Sequence, residues 1–184
     1  MRTSTSLPGG QHVRPATQRD IPVCAVMFKE WAESAASMAE GQQLDPKYDY
    51  AGDLASRLNR ENEVMFVAED DGEIHGFIVI RVGTHRKNDL INRAGRIVRK
   101  MLRRTVSVSY GNSHTATLEQ VVVKPGSRNN YMSLALFRTS LQWCKDRKLS
   151  AIEGAVWTAN TPVIRVSELI GFKPVRVLLR KELD

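Results

Sequence analysis

Apolar residues recur along parts of the chain at a spacing that predicts helices. Between residues 18 and 40 they return every three or four positions, which is the period of an amphipathic helix. Asp20 stands where a side chain caps a helix start, and Pro22 falls in the first turn, where proline is tolerated. Residues 51–62 repeat this spacing over a shorter length. We therefore predict two consecutive helices joined by a polar loop.

Other segments predict strands by their residue types. Residues 12–17 suit a short strand, and residues 64–68 and 74–82 are rich in β-branched and aromatic side chains. Asp71 and Gly72 lie between the last two segments, and this dipeptide favours the tight turn with positive φ that closes a hairpin. We therefore predict an antiparallel hairpin directly after the second helix.

The second half of the chain alternates strands with helices. The predicted elements are a strand at 117–123, a helix to about Arg147, a strand at 151–157, a helix at 161–170 that Gly171 stops, and a last strand at 174–183. This order predicts an α/β (α+β) fold, in which a mixed, mainly antiparallel and twisted sheet carries helices on both faces.

Length and composition suit a single soluble domain. At 184 residues the chain can bury a core without a disulfide or a metal, and Cys24 and Cys144 lie in apolar helical patterns, as reduced core residues do. The histidines never approach metal-ligand spacing, so no metal site is predicted. No apolar run reaches the length of a membrane span. We expect a polar tail at 1–11, one domain at 12–184 and a cytoplasmic location.

Positive charge is concentrated in one segment. The chain has 27 Lys and Arg against 20 Asp and Glu, a net charge of +7, and residues 86–104 alone hold eight cations and one anion. The remaining residues are neutral in sum, so the basic character belongs to this segment. Its apolar residues lie at helical spacing, which predicts an amphipathic basic helix within an insertion at about 83–114. The candidate residues for binding an anionic partner are Arg93, Arg96, Arg99, Lys100, Arg103 and Arg104.

Two interpretations of the basic helix follow. In one, it docks on an anionic surface, such as nucleic acid or an acidic protein face. In the other, it packs on its own domain and exposes a solvated basic face. A long insertion with its own helix is commonly functional, which favours the first interpretation.

The turn after the predicted central strand suits an anion. Residues 121–137 read VVVKPGSRNNYMSLALF, which indicates a strand, a Pro-Gly turn and a helix start. Consecutive backbone amides at a helix start offer unpaired donors at the positive end of the helix dipole, and Arg128 adds a cation. In the alternative interpretation, the segment is an ordinary helix start capped by Asn129 and Asn130.

Three segments resemble those of one known family. Residues 12–22 (HVRPATQRDIP) are similar to its opening strand and helix start, residues 121–136 to its acyl-CoA pyrophosphate loop, and residues 160–175 (NTPVIRVSELIGFKPV) to its closing motif of an Asn, a helix and Gly-Phe. The family is the GNAT superfamily of acyl-CoA N-acyltransferases, and the likeness spans residues 13–183. The resemblance implies a GNAT-like fold, acetyl-CoA as the cofactor and a primary amine of a small molecule or protein as the acceptor.

The resemblance also implies a set of cofactor-binding residues in and beside the loop. They are Val121, Val123, Arg128, Asn129, Asn130, Tyr131, Met132, Ser133 and Asn160. The loop of the family carries a glycine and a small residue where this chain has Tyr131 and Ser133. A Tyr131 ring turned outward leaves the amides reachable, whereas a ring turned inward plugs the site.

Acyl transfer to an amine needs a base and gains from an acid. An amine with a pKa of about 10.4 must lose a proton before it attacks a thioester. Glu119 lies at even spacing from Val121 and Val123, so it is a candidate base that faces the reacting centre; the alternative is a paired carboxylate at a sheet end. The resemblance places the usual acid of the family, a tyrosine, at Ser167, and serine is a weak acid.

Two functions of different class follow from these observations. The first is an acetyl-CoA-dependent N-acyltransferase. The second is a non-catalytic binding or structural module that uses the basic helix, with a homo-oligomer or a larger assembly as its setting. Residues 156–171 (VWTANTPVIRVSELIG) also resemble GNAT-like internal virion proteins of short-tailed bacteriophages, which would place such a module in a virion.

Overall fold

The computed structural model describes residues 12–36, 44–83, 115–127 and 131–175, with the backbone of Thr5–Ser6. The predicted basic helix and its six candidate cations lie outside the described residues. So does most of the last predicted strand, from residue 176 onward.

Six strands in the described part of the chain form one sheet, in which neighbours follow chain order. They are β1 (Thr5–Ser6), β2 (His12–Pro15), β3 (Glu63–Asp70), β4 (Glu73–Val82), β5 (Thr115–Val123) and β6 (Ala151–Gly154). Pairing is antiparallel from β1 to β5, and β5 pairs parallel with β6. The predicted mixed, mainly antiparallel sheet is confirmed. β1 lies within residues 1–11, where the sequence predicts only a polar tail.

The turn between β3 and β4 has the predicted geometry. Asp71 has φ 47° and Gly72 has φ 81°, so both central residues are left-handed. Such a turn matches the twist of the strands it joins, and Asp and Gly are residues that adopt it readily. The predicted hairpin is therefore confirmed.

Four α-helices in the described residues cover the two faces of this sheet. They are α1 (Ile21–Ala36), α2 (Tyr50–Leu58), α3 (Met132–Asp146) and α4 (Thr161–Leu169). α2 ends earlier than predicted, because residues 59–62 are taken up by the turn into β3. None of the four is long and apolar enough to cross a membrane.

The start of α1 differs from the prediction. Asp20 does not cap α1 directly, because it ends a 3₁₀ turn, Gln18–Asp20, that runs into the helix. The Asp20 carboxylate accepts hydrogen bonds from Thr17 N at 2.7 Å and from Thr17 Oγ1 at 2.9 Å. Asp20 is thus the N3 residue of a capping box whose N-cap is Thr17.

Arg14 joins this turn to the sheet. Its Nη1 and Nη2 donate to the two carboxylate oxygens of Asp20 at 2.8 and 2.9 Å, and its Nε donates to Glu69 on β3 at 2.7 Å. The Asp20 side chain is only 7% exposed. The hydrogen bonds from Arg14 hold the pKa of Asp20 at about 2, below the ordinary value for Asp. This network connects β2, the turn and β3.

Two apolar cores lie on opposite faces of the sheet. Residues alternate between them along β3 and β4, as the period of two in a strand requires. Met65, Val67, Phe77 and Val79 lie in the core that α1 and α2 cover, and Phe66, Ala68, Ile78 and Ile80 lie in the core that α3 covers. Helices on both faces were expected from the order of elements, and this arrangement confirms them.

Each core contains one free cysteine. Cys24 is a residue of α1, and Cys144 is a residue of α3; both are buried. Burial raises the pKa of Cys24 to about 12 and that of Cys144 to about 11. Both thiols are therefore protonated core residues, as predicted.

Candidate functional site

The sheet opens between β5 and β6. β6 pairs with β5 only from Thr115 to Leu118, which lies opposite Gly154. β5 continues to Val123, and over that length its paired neighbour in the described part of the chain is β4 alone. The backbone groups of residues 119–122 that point away from β4 therefore border an open edge, where a ligand could reach them.

A β-bulge lies where this opening begins. On β4, Val79 pairs with Gln120 of β5. The next residue, Ile80, pairs with Leu118, so Glu119 is left as the extra residue. Bulges are common beside active sites because they redirect a side chain and end regular pairing.

The bulge overturns the spacing argument for Glu119. Val121 and Val123 pack on the α3 core, whereas the Glu119 carboxylate contacts Arg81. Arg81 follows Val79 by two positions on β4, so it belongs to the face that carries α1 and α2. Glu119 therefore does not share a face with the two valines, because one extra residue reverses the alternation along β5.

Arg81 orients the Glu119 carboxylate. Arg81 Nε donates to Glu119 Oε1 at 2.8 Å, and Arg81 Nη2 lies 2.5 Å from the same oxygen. The two side chains are 20% and 23% exposed. Both contacts are made to Oε1, and among the described residues no partner contacts Oε2. The carboxylate is thus paired, as the alternative interpretation holds, and its side chain is partly exposed.

Tyr131 forms the turn into α3. It has φ 57° and ψ 1°, the left-handed region that favours glycine, and it is 74% exposed. The backbone here has the conformation that suits the glycine of the family, and the ring points outward rather than into the site. Residues 128–130 lie outside the described residues, so the roles expected for Arg128, Asn129 and Asn130 stay predictions.

The first turn of α3 offers backbone donors. Its first hydrogen bond runs from Ala135 N to Tyr131 O at 2.9 Å, and the N–H groups of Met132, Ser133 and Leu134 therefore have no acceptor within the helix. The Met132 side chain is buried, so Met132 can serve a ligand only through its backbone. Together with the helix dipole, these amides can bind an anion.

Ser167 lies within α4, and Asn160 is its N-cap residue. Asn160 precedes the helix, and its carbonyl accepts from Ile164 N at 3.1 Å, while its side chain makes no capping bond. Ser167 lies in the last turn, where its carbonyl accepts from Phe172 N at 2.9 Å. Among the described residues, no hydrogen bond joins either of them to Glu119 or to the start of α3. Their expected roles at the site stay predictions.

Sequence reasoning missed the contacts beneath the loop. Ser127 is buried, and its Oγ lies 2.8 Å from His75 Nδ1, although the two residues are 52 positions apart. Lys124 forms an ion pair with Glu73. No local pattern could reveal these partners, because the pairing of β4 with β5 brings them together.

Comparison with known families identifies the group to which this fold and site belong. The sequence model of the acetyltransferase (GNAT) family matches residues 26–172. The chain belongs to the GNAT family. This confirms the resemblance drawn from the three sequence segments. No curated protein sequence matches the chain.

Solved structures share the GNAT fold with this chain. A tetramutant of the BH1408 protein of Bacillus halodurans superimposes with a TM-score of 0.73 at 16% identity, over 93% of this chain and 99% of that one. The aminoglycoside N-acetyltransferase AAC(6′)-Iy, in complex with CoA, gives 0.64 at 17% identity, over 96% and 99%. A ribosomal-protein-alanine N-acetyltransferase of Brucella melitensis gives 0.60 at 11%, over 95% and 99%. These similarities concern the fold, and none of them bears on the likeness to phage proteins.

Proposed function

We propose that the protein transfers an acetyl group from acetyl-CoA to a primary amine of a small molecule or protein. The observation that carries this proposal is the opening between β5 and β6. It begins at the bulge of Glu119 and follows β5 toward the loop before α3. Membership of the GNAT family supports it, as do two similar structures that hold CoA or a CoA-containing bisubstrate analogue.

The residues along the open edge fit an acyl-CoA. At Val121, the edge of β5 offers backbone N–H and C=O groups to the amides of the CoA arm, as a sheet edge does for an added strand, and Val123 is a further candidate contact. The amides of Met132 and Ser133, together with Arg128, offer donors and a cation to the diphosphate. When bound, the cofactor supplies the acetyl group as a thioester. Asn160 is the remaining candidate contact.

Glu119 is the base in this proposal. Arg81 orients its carboxylate through Oε1, and Oε2 can accept a proton from the amine, directly or through a water. Ser167 has a weakly acidic hydroxyl, so the proposal does not assign proton donation to it. The rate then depends on positioning of the two substrates and on hydrogen bonds to the reacting carbonyl.

The Glu119→Gln variant tests this assignment. Turnover of acetyl-CoA is expected to fall roughly 10²- to 10⁴-fold, because the amide cannot accept the proton, while the calorimetric Kd for CoA stays within about twofold. Acceptors for the assay are an aminoglycoside and an alanine peptide, the classes named for the similar structures.

Arg128→Ala is the complementary control. It is expected to weaken CoA binding by about 1.5 to 3 kcal/mol, the worth of a hydrogen bond to a charged group, and to leave turnover at saturation nearly unchanged. The absence of any calorimetric signal with wild-type protein at millimolar acetyl-CoA would rule out the enzyme.

The concentration of charge at residues 86–104 supports a second function. We propose that this segment binds an anionic partner, nucleic acid or an acidic protein face, because the remainder of the chain is neutral in sum. This function does not require acetyl transfer. It is therefore the function that remains if acetyl-CoA does not bind.

A further inference from the structure

His75 is connected twice to the loop that leads into α3. Its carbonyl accepts from Lys124 N at 2.9 Å, and its Nδ1 lies 2.8 Å from Ser127 Oγ. Ser127 N also donates to Lys124 O at 2.9 Å, which closes the short turn between them. Residue Glu73, two positions before His75, pairs with Lys124. The first residues of β4 thus hold both ends of the Lys124–Ser127 turn.

One side of this turn borders a cavity. It faces an open cavity of about 610 Å³, whose opposite wall is α1. That wall is formed by Val23, Val26, Met27 and Glu30. Val23 and Val26 are 42% and 60% exposed, so they do not pack tightly against the turn. On the side that faces α1, the turn is therefore held by its hydrogen bonds to β4 and not by packing.

We propose that His75 is a positioning residue for the diphosphate of acyl-CoA. Ser127 lies only four positions before Tyr131, so the hydrogen bond with His75 holds the loop close to the start of α3, and its loss would let the loop shift. The amides of Met132 and Ser133 would then move away from the diphosphate, and small misplacements of this kind are costly. His75 acts through Ser127. This inference rests on the proposed function, because it assumes that CoA binds.

The test compares two ligands that differ in the diphosphate. The Kd for CoA is measured by calorimetry, and KM is measured for acetyl-CoA and for S-acetylpantetheine, which lacks the diphosphate. His75→Ala is expected to raise the Kd for CoA and the KM for acetyl-CoA by roughly 3- to 10-fold, the worth of one hydrogen bond. The KM for S-acetylpantetheine and kcat are expected to remain unchanged.

Three further variants make the test specific to one hydrogen bond. His75→Asn keeps a polar atom near the position of Nδ1 and is expected to restore most of the affinity. Ser127→Ala removes the partner hydroxyl and should reproduce the effect of His75→Ala, while the double variant should add little, because both changes remove the same bond. Ser127→Ala also preserves the test if His75→Ala does not fold. Gln142→Ala is the control, because it removes a hydrogen bond to Asp146 at the far end of α3. It should change neither the Kd for CoA nor the KM for either acyl donor.

Each outcome distinguishes the inference from the proposed function. If wild-type protein binds CoA and the His75 and Ser127 variants bind it equally well, the inference is wrong and the proposed function stands. Equal losses for acetyl-CoA and S-acetylpantetheine would also overturn it, because His75 would then support the site in general. If the wild type does not bind CoA, both are wrong.

Discussion

Tyr131 combines a bulky side chain with a left-handed backbone. A left-handed φ costs a residue with a Cβ about 1–2 kcal/mol, and at 74% exposure the Tyr131 ring gains little from packing. Such strain persists only where the surroundings enforce it. Here the next residue, Met132, is buried in the α3 core, and Tyr131 O accepts the first hydrogen bond of the helix. The conformation is therefore imposed by α3.

Tyr131→Gly is expected to raise the free energy of unfolding by roughly 0.5–1 kcal/mol, because glycine adopts this φ without a Cβ penalty. Urea denaturation measures the change, and calorimetry should show CoA affinity unchanged or improved. Tyr131→Ala is the control, since it removes the ring but keeps the Cβ, and it should not gain stability. If both variants gain equally, the ring and not the backbone is responsible. If only Tyr131→Gly binds CoA, the wild-type loop has lost the cofactor.

Residue-scale predictions were confirmed where their cause is local. Asp71 and Gly72 form the expected turn because its requirements lie within the dipeptide itself. The face of Glu119 was predicted wrongly, because the bulge arises from pairing with β4 and has no signal in β5. Asp20 was predicted to cap α1, whereas it is the N3 residue of a capping box that Thr17 begins. The 3₁₀ turn before α1 resembles a helix start in sequence, which explains the difference.

At the scale of elements, Gly76 of β4 lies close to both β5 and α3. A Cβ added there would lie 2.9 Å from Val122 O, 3.1 Å from Val123 Cγ2 and 3.2 Å from Leu136 Cδ1. The first of these atoms belongs to the backbone of β5 and cannot move without disturbing the sheet. Gly76 thus permits close packing of β4 against β5 and against α3, the helix whose start is the candidate anion site.

Gly76→Ala is expected to lower the free energy of unfolding by about 1–3 kcal/mol, the usual cost of overpacking a core. Denaturation with urea measures this loss. The matched control is Gly126→Ala, because a Cβ there meets no atom within 4 Å, and it should change stability by no more than about 1 kcal/mol. Equal losses in the two variants would show that steric contact is not the cause.

The network of Arg14 predicts how stability responds to acid. The pKa of Asp20 is lowered in the folded state to about 2, so the network contributes stability above the ordinary Asp value and loses it as pH falls from about 4 to 2. The contribution at neutral pH is roughly 2 kcal/mol. Asp20→Asn is expected to lose that amount at pH 7, and the difference from wild type should shrink as pH approaches 2.

Denaturation curves measured from pH 7 to pH 2 provide the check. Asp71→Asn, which removes an exposed carboxylate and keeps a residue that tolerates the left-handed turn, should follow the wild-type pH dependence. A difference between Asp20→Asn and wild type that stays constant down to pH 2 would contradict the linkage.

Most elements could be predicted from hydrophobic spacing, but their ends could not. The strand predicted at 151–157 pairs only as Ala151–Gly154, because β5 and β6 separate beyond this point. That separation is the central feature of the candidate site, and it results from the path of two strands rather than from a residue pattern.

At the scale of the whole molecule, positive charge is distributed unevenly along the chain. The net charge of +7 equals that of residues 86–104, so the protein has one basic segment on an otherwise balanced chain. Long-range attraction of an anionic partner would therefore depend on this segment.

Binding to duplex DNA, to RNA and to anionic vesicles should weaken steeply with salt if the segment docks on such a partner. On duplex DNA, each neutralised phosphate contributes about 0.9 to the log–log slope. Replacing Arg96, Lys100 and Arg103 with glutamine is expected to abolish binding without unfolding the protein. Fluorescence anisotropy across a salt series measures both effects for the nucleic acids.

The control removes the same charge elsewhere. Replacing the exposed cations Arg138, Lys145 and Lys173 with glutamine should leave binding almost unchanged. If both triple variants bind equally well, or if the wild type binds none of these probes at low salt, the segment has no docking role and only exposes basic side chains to solvent.

The burial of one thiol in each core gives the protein two internal reporters of local opening. Cys24 and Cys144 lie on opposite faces of the sheet, and both are protonated and shielded from reagents in the native state. An alkylating reagent can therefore reach each one only when the layer that covers it detaches. Mass spectrometry of partly labelled protein would separate the two rates. The faster site would identify whether the α1–α2 layer or the α3 layer opens first, and equal rates would show that the two layers unfold as one unit.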